Sequence, residues 1–144
     1  KVVDICKELP LMPGAVETIS ELKKMDYKVI CFSGGFRVGT SPAASKLGLH
    51  ADFSNVLHHK DGLLTGQVGG DMMFDFSKGD MLQRIQALMG VSNEDTLVCG
   101  DGANDRSMFT YAAKKIAFCA HDILKKEANI IVDTKDLTKI LERI

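Results

Sequence analysis

Two hydrophobic periods alternate along the chain, and they predict its elements. Over 14–25, Val16, Ile19, Leu22 and Met25 recur at three-residue spacing, which predicts a helix with that face inward. Pro13 stands just ahead of it, a common place for proline at a helix start. Tyr27-Lys28-Val29-Ile30-Cys31-Phe32 is a short apolar run closed by Ser33-Gly34-Gly35, the pattern of a parallel strand buried on both faces. Residues 42–48 predict a short helix, with Ser41 as N-cap and Pro42 at the first helical position. The segments 53–59 and 63–68 flank Asp61-Gly62 and predict a β-hairpin, because Asp-Gly favours a type I′ turn. Residues 77–89 predict a helix with Met81, Leu82, Ile85 and Leu88 inward. The segments 96–99, 116–119 and 130–132 read as further buried strands, and 105–113, 121–127 and 136–143 as helices.

Alternation of this kind predicts an open α/β fold with a mostly parallel sheet, helices on both faces and a hairpin insertion. In such folds ligands bind outside the carboxyl ends of the strands. The turns after 27–32 and 96–99 are therefore expected to face the same side and line one crevice. The chain has 144 residues, 45% hydrophobic and 26% charged, which is the composition of a single globular domain and excludes disorder, collagen and coiled coil. A net charge of −1 lacks the basic excess of a nucleic-acid binder. No uncharged apolar run approaches the length of a membrane span. Cys6, Cys31, Cys99 and Cys119 form no C-x-x-C pair and read as buried thiols of a reducing compartment, so a cytoplasmic location is expected. The first residue, Lys1, falls inside what reads as a helix, so a fragment is expected.

Chemistry concentrates in the two glycine-bearing turns. Ser33-Gly34-Gly35 offers a hydroxyl and approachable backbone N–H groups, either as a phosphate cradle or simply as a tight strand-to-helix turn. Gly100-Asp101-Gly102-Ala103-Asn104-Asp105 places Asp101 and Asp105 four apart around Asn104. Such a cluster suits Mg²⁺, a hard cation that keeps several waters, and holds more oxygen groups than an N-cap needs. Lys78, at the start of helix 77–89, works against the helix dipole. Alone it reads as a solvated lysine; beside the two turns it reads as a charge clamp on a phosphoryl group, partnered by Asp105. His50, His58, His59 and His121 share no ligand spacing at the strand ends, and Met81 and Met89 read as core filler.

Ser33, Lys78, Asp101, Asn104 and Asp105, in this order on an α/β pattern, resemble the motifs of the haloacid dehalogenase superfamily of phosphatases, and within it the phosphoserine phosphatase family. Supporting stretches are Pro13-Gly14-Ala15, Leu64-Thr65-Gly66 and Ile116-Ala117-Phe118. The resemblance implies a Rossmann-like core that hydrolyses L-phosphoserine to L-serine and phosphate with Mg²⁺, in the last step of serine synthesis. Ser33 and Gly34 would bind the phosphate, Lys78 would neutralise its charge and Asn104 would contact the substrate. Asp101 would hold the metal, and Asp105 would orient Lys78 or support the metal shell.

The family's D-x-D-x-T motif, which carries the attacking aspartate and the acid–base, is absent from the 144 residues: Asp4 is followed two residues later by Cys6. The resemblance therefore implies residues 1–9 as the tail of the small helical cap and 10–144 as a core without its first, central strand. That strand would lie between those ending at Ser33 and Cys99, and its loss would leave an unpaired edge on each. The chain alone is expected to be inactive, and its expected partners are a small phosphomonoester and either a second copy or the missing N-terminal segment. Another small phosphomonoester as substrate, or phospholigand binding without turnover, are the alternatives. Arg106 stands where relatives carry an apolar residue, so it must reach solvent or a carboxylate. Gly39 and Pro42 are expected to interrupt the helix after the first turn.

Overall fold

The computed structural model describes residues 1–144. The chain divides into two compact units, Lys1–Met73 and Phe74–Ile144.

The first unit holds α1 (Val2–Lys7), α2 (Ala15–Lys24), β1 (Ile30–Phe36), α3 (Arg37–Leu47), β2 (Ala51–Lys60) and β3 (Leu63–Gly70). Its sheet has the order β1-β2-β3, with β1 parallel to β2 and β3 antiparallel. The expected hairpin forms, and Asp61 and Gly62 both take positive φ, 51° and 78°, as a type I′ turn demands.

Helix α2 buries Leu22 as its spacing predicts, but the rest of its inward face differs. Ala15, Thr18 and Leu22 are buried, while Val16 and Met25 are exposed. Helix α3 starts before the expected cap and runs through Gly39 and Pro42 without a break. The reason is tertiary. The Ser41 and Thr40 hydroxyls donate to Asp52 Oδ2 on β2, at 3.4 and 3.0 Å, so Ser41 is drawn sideways instead of capping its own helix. Strand β1 is half-buried rather than sealed on both faces, because it is the edge of its sheet.

The second unit holds α4 (Ser77–Met89), β4 (Leu97–Gly100), a single 3₁₀ turn (Ala103–Asp105), α5 (Arg106–Phe109), β5 (Lys114–Phe118), α6 (Asp122–Lys125), β6 (Ile130–Val132) and α7 (Thr138–Leu141). Its sheet is parallel throughout in the order β4-β5-β6. Ile116 and Phe118 on the central strand pack with Val132 and Ile140 as the core.

Helix α4 has the predicted bounds, but Leu88 points outward at 87% exposure. Gln86 is buried instead. Its amide donates to Thr96 Oγ1 at 2.7 Å and to the Tyr111 carbonyl at 2.8 Å, which satisfies a group that burial would otherwise penalise. Helix α5 ends four residues short of the prediction. Ala113 N–H donates to the Asn93 carbonyl and Asn129 Nδ2 donates to the Ala113 carbonyl, so both backbone groups of Ala113 are taken away from a helical ladder.

The four cysteines are not buried as expected. Cys6, Cys31 and Cys119 are half-buried, and Cys99 lies exposed on β4, the edge strand of its sheet. No helix is long and apolar enough to cross a membrane.

Candidate active site

In the second unit a buried charge pair organises the Gly100–Asp105 turn. Lys78 is the second residue of α4, and its side chain is only 9% exposed. It is therefore no solvated surface lysine. Its Nζ donates to Asp105 Oδ1 at 2.5 Å, and the Asp105 side chain is 5% exposed. The other oxygen, Asp105 Oδ2, accepts the N–H groups of Asp101 and Gly102 at 2.9 and 3.1 Å. One carboxylate thus balances the lysine and shapes the backbone that carries Asp101. A buried pair of this kind holds only because its remaining hydrogen-bonding capacity is satisfied.

Close helix contact places the lysine. Gly79 N–H donates to Ser107 Oγ at 3.1 Å, and a side chain at Gly79 would meet the Ser107 carbonyl oxygen at 2.5 Å. Only glycine lets α4 approach the start of α5 this closely.

Asp101 and Asn104 are exposed beside this frame. Asp101 also accepts at its backbone carbonyl from His121 N–H, at 3.0 Å. Both oxygens of Asp105 are engaged, Oδ1 by Lys78 and Oδ2 by the two backbone N–H groups. No three His, Cys, Asp or Glu side chains gather to hold a metal ion. Asp101 offers one open carboxylate. That donor set fits a hard cation completed by water and phosphate oxygens, and it does not form an all-protein cage.

Cys99 counts as exposed by its surface, yet its thiol pKa is pushed up to about 12. Loss of solvent around the thiol is the largest cause, followed by the carboxylates of Asp105 and Asp101. At neutral pH it stays a thiol, and a thiol is a poor nucleophile.

Arg106 finds a carboxylate. Its guanidinium pairs with Glu127 Oε1 through Nε at 2.6 Å and Nη2 at 2.5 Å, tying α5 to the residues after α6. The pair lies near solvent, so Arg106→Ala should change unfolding free energy by less than about 1 kcal/mol, as urea denaturation would read.

In the first unit the Ser33-Gly34-Gly35 segment carries a lapse in the β1–β2 ladder. Pairing runs from Ile30↔Ala51 to Phe32↔Phe53, then resumes with a shifted register at Phe36↔Asn55. Gly35 N–H donates to Ser33 Oγ at 3.0 Å. The hydroxyl accepts that bond, so its own proton is left to donate outward.

Asn55 on β2 was not foreseen from the sequence. It is buried, and its Nδ2 donates to the Gly34 carbonyl at 3.0 Å and to the Met72 carbonyl at 3.2 Å. Its Oδ1 accepts Met72 N–H at 3.0 Å. No local signal marks Asn55, because the same strand also carries Asp52, Ser54, His58, His59 and Lys60.

Of the predicted residues, the structure brings Lys78, Asp105 and the Asp101 backbone together within one unit, with Asn104 on the same turn. Ser33 and Gly34 belong to the other unit, at the end of β1.

A model of the haloacid dehalogenase-like hydrolases matches residues 1–113, and the chain belongs to that family. Its fold class is accordingly the family's Rossmann-like α/β core. Its relatives narrow the comparison. The phosphoserine phosphatase of Wolinella succinogenes is 58% identical over 143 residues, which cover 99% of this chain and 69% of the relative. That of Methanocaldococcus jannaschii is 46% identical over 144 residues, covering 100% of this chain and 68% of the relative. A solved structure of a phospho-aspartyl intermediate analogue of phosphoserine phosphatase has a TM-score of 0.93 and 45% identity. The match covers 98% of this chain and 68% of that one.

Proposed function

We propose that the chain is the phosphate-gripping core of a phosphoserine phosphatase, hydrolysing L-phosphoserine to L-serine and phosphate in the cytoplasm, as the last step of serine synthesis. The observation that carries this reading is the buried Lys78–Asp105 pair, whose carboxylate also fixes the Asp101 backbone. Phosphoryl transfer asks a protein mainly for positioning and charge stabilisation, and this frame supplies both.

In this reading Lys78 neutralises charge on the phosphoryl oxygens, and Asp105 keeps its ammonium aimed. Ser33 donates its free hydroxyl proton to a phosphate oxygen, with Gly34 lining the same cradle. Asn104 contacts the substrate. Asp101 would hold Mg²⁺, which supplies a counter-charge to the transferring phosphoryl group. Residues 1–9 belong with the small helical insertion of the family and residues 10–144 with its core.

The D-x-D-x-T motif is absent from these 144 residues, and in this reading the attacking aspartate belongs to a longer chain or a partner. That absence favours a second reading, in which the chain binds a phospholigand without turning it over.

The two are separated by phosphate release from L-phosphoserine. The chain alone should give none. Joined to the part of the W. succinogenes relative that the match leaves out, it should turn over. Asp101→Asn or Lys78→Ala should then lower the rate by roughly two orders of magnitude or more, the scale set by losing one preorganised charge-stabilising group. Unchanged rates in both variants would discard the site. No turnover by the joined protein, with phosphoserine still bound, would leave the binding reading standing.

A further inference from the structure

We propose that Asn55 is the positioning residue of the phosphate cradle: its side-chain amide clamps the peptide between Gly34 and Gly35 and thereby aims the Ser33 hydroxyl. The proposal rests on the reading that the Ser33–Gly35 segment of β1 holds phosphate.

The peptide unit is planar and trans, so its C=O and N–H point in opposite directions. Here both ends are held. The Gly34 carbonyl accepts from Asn55 Nδ2, and the N–H of Gly35 donates to Ser33 Oγ. Turning this peptide over would break both bonds at once. Sterics alone would do little to prevent that, because glycine on both sides tolerates either sign of φ. The strand ladder does not prevent it either, since regular pairing lapses between Phe32 and Phe36. The clamp therefore falls to Asn55.

Asn55 is equipped for the task. Met72 takes its Oδ1 and one Nδ2 hydrogen through backbone N–H and C=O, as a neighbouring strand would. The amide orientation is then settled, and the second Nδ2 hydrogen is left for Gly34. The residue is 3% exposed, so water does not compete for these bonds. While the clamp holds, Ser33 Oγ remains an acceptor for Gly35 and its proton has one job, to reach a ligand oxygen. Without it, Gly35 N–H leaves and the hydroxyl rotates freely.

Backbone hydrogen exchange of the whole chain tests this without needing turnover. Asn55→Ser is compared with Asn55→Asp, which sets a carboxylate against two carbonyl oxygens and is the harsher change. The Gly35 amide should exchange roughly tenfold faster in Asn55→Ser, the scale of one lost hydrogen bond, while the amides of Ile30–Phe32 keep their protection. Unchanged Gly35 exchange in either folded variant would overturn the clamp. So would loss of protection spread evenly over Ile30–Phe53 in Asn55→Ser, because Asn55 would then be a fold residue only. A parallel titration with inorganic phosphate tests the underlying reading separately. If the wild-type Ser33–Gly35 amides do not respond, the phosphate reading fails while the exchange result still decides the clamp. If they respond, Asn55→Ser should weaken the apparent affinity by a similar factor.

Discussion

Lys78→Met should cost the chain about 3–5 kcal/mol of stability, the loss expected when one partner of a buried ion pair is removed. The methionine fills much of the space of the lysine stem, so the cost is not a cavity. It comes from Asp105, whose Oδ1 keeps a charge away from water with nothing to face. Its Oδ2 stays tied to Asp101 and Gly102 N–H, so the carboxylate is not free to swing outward without releasing both. Domains of this size hold roughly 5–15 kcal/mol in all, so the variant should lie near the edge of folding at room temperature. Urea denaturation followed by circular dichroism reads the change as a lowered midpoint with a similar slope. The double variant Lys78→Met/Asp105→Leu removes both charges and should recover part of the loss, though not all, because the two backbone N–H groups lose their acceptor. If Lys78→Met unfolds within about 0.5 kcal/mol of wild type, the range of an ordinary surface change, the buried pair is not what organises this turn.

This lysine also marks where reading the sequence reaches its limit. Lysine is rarely buried, and nothing in residues 76–80 by itself distinguishes Lys78 from a solvated helix start. Only beside the two glycine-bearing turns does it read as a charge clamp. Elements with local punctuation were legible. Helix α4 spans Ser77–Met89 as the spacing predicts, and the hairpin turns at Asp61-Gly62. Elements decided by distant partners were not. Ser41 has the chemistry of an N-cap, yet its hydroxyl serves Asp52 eleven residues away, and α3 begins earlier at Arg37. Helix α5 stops where Asn93 and Asn129 capture Ala113. Leu88 suits the inward stripe of α4 by spacing, but the helix is turned so that Gln86 meets Thr96 and Tyr111. Asn55 was invisible for the same reason. A polar residue in a strand reads as solvent-facing unless its partners, here the backbones of Gly34 and Met72, are known.

Gly79→Ala should destabilise the chain and disturb Lys78 at once. The added methyl would sit 2.5 Å from the Ser107 carbonyl oxygen and 2.8 Å from its carbonyl carbon. Those are backbone atoms, so no side-chain rotation relieves the clash; α4 and α5 must separate. Separation also breaks the Gly79 N–H bond to Ser107 Oγ. Helix α5 follows directly on the 3₁₀ turn that carries Asp105, so the shift is passed to the partner of Lys78. Overpacking of this kind costs typically about 1–3 kcal/mol. A displacement of about 1 Å at a catalytic group can cost about a hundredfold in rate, so the joined enzyme should lose activity beyond its loss of stability. Gly90→Ala supplies the control. Gly90 caps the same helix with φ 66°, and no atom lies within 4 Å of where a methyl would go. It should cost about 1–2 kcal/mol from left-handed backbone strain alone and leave turnover unchanged. Equal stabilities together with equal rates for the two variants would mean that α4 and α5 tolerate separation, and that the placement of Lys78 does not depend on the glycine beside it.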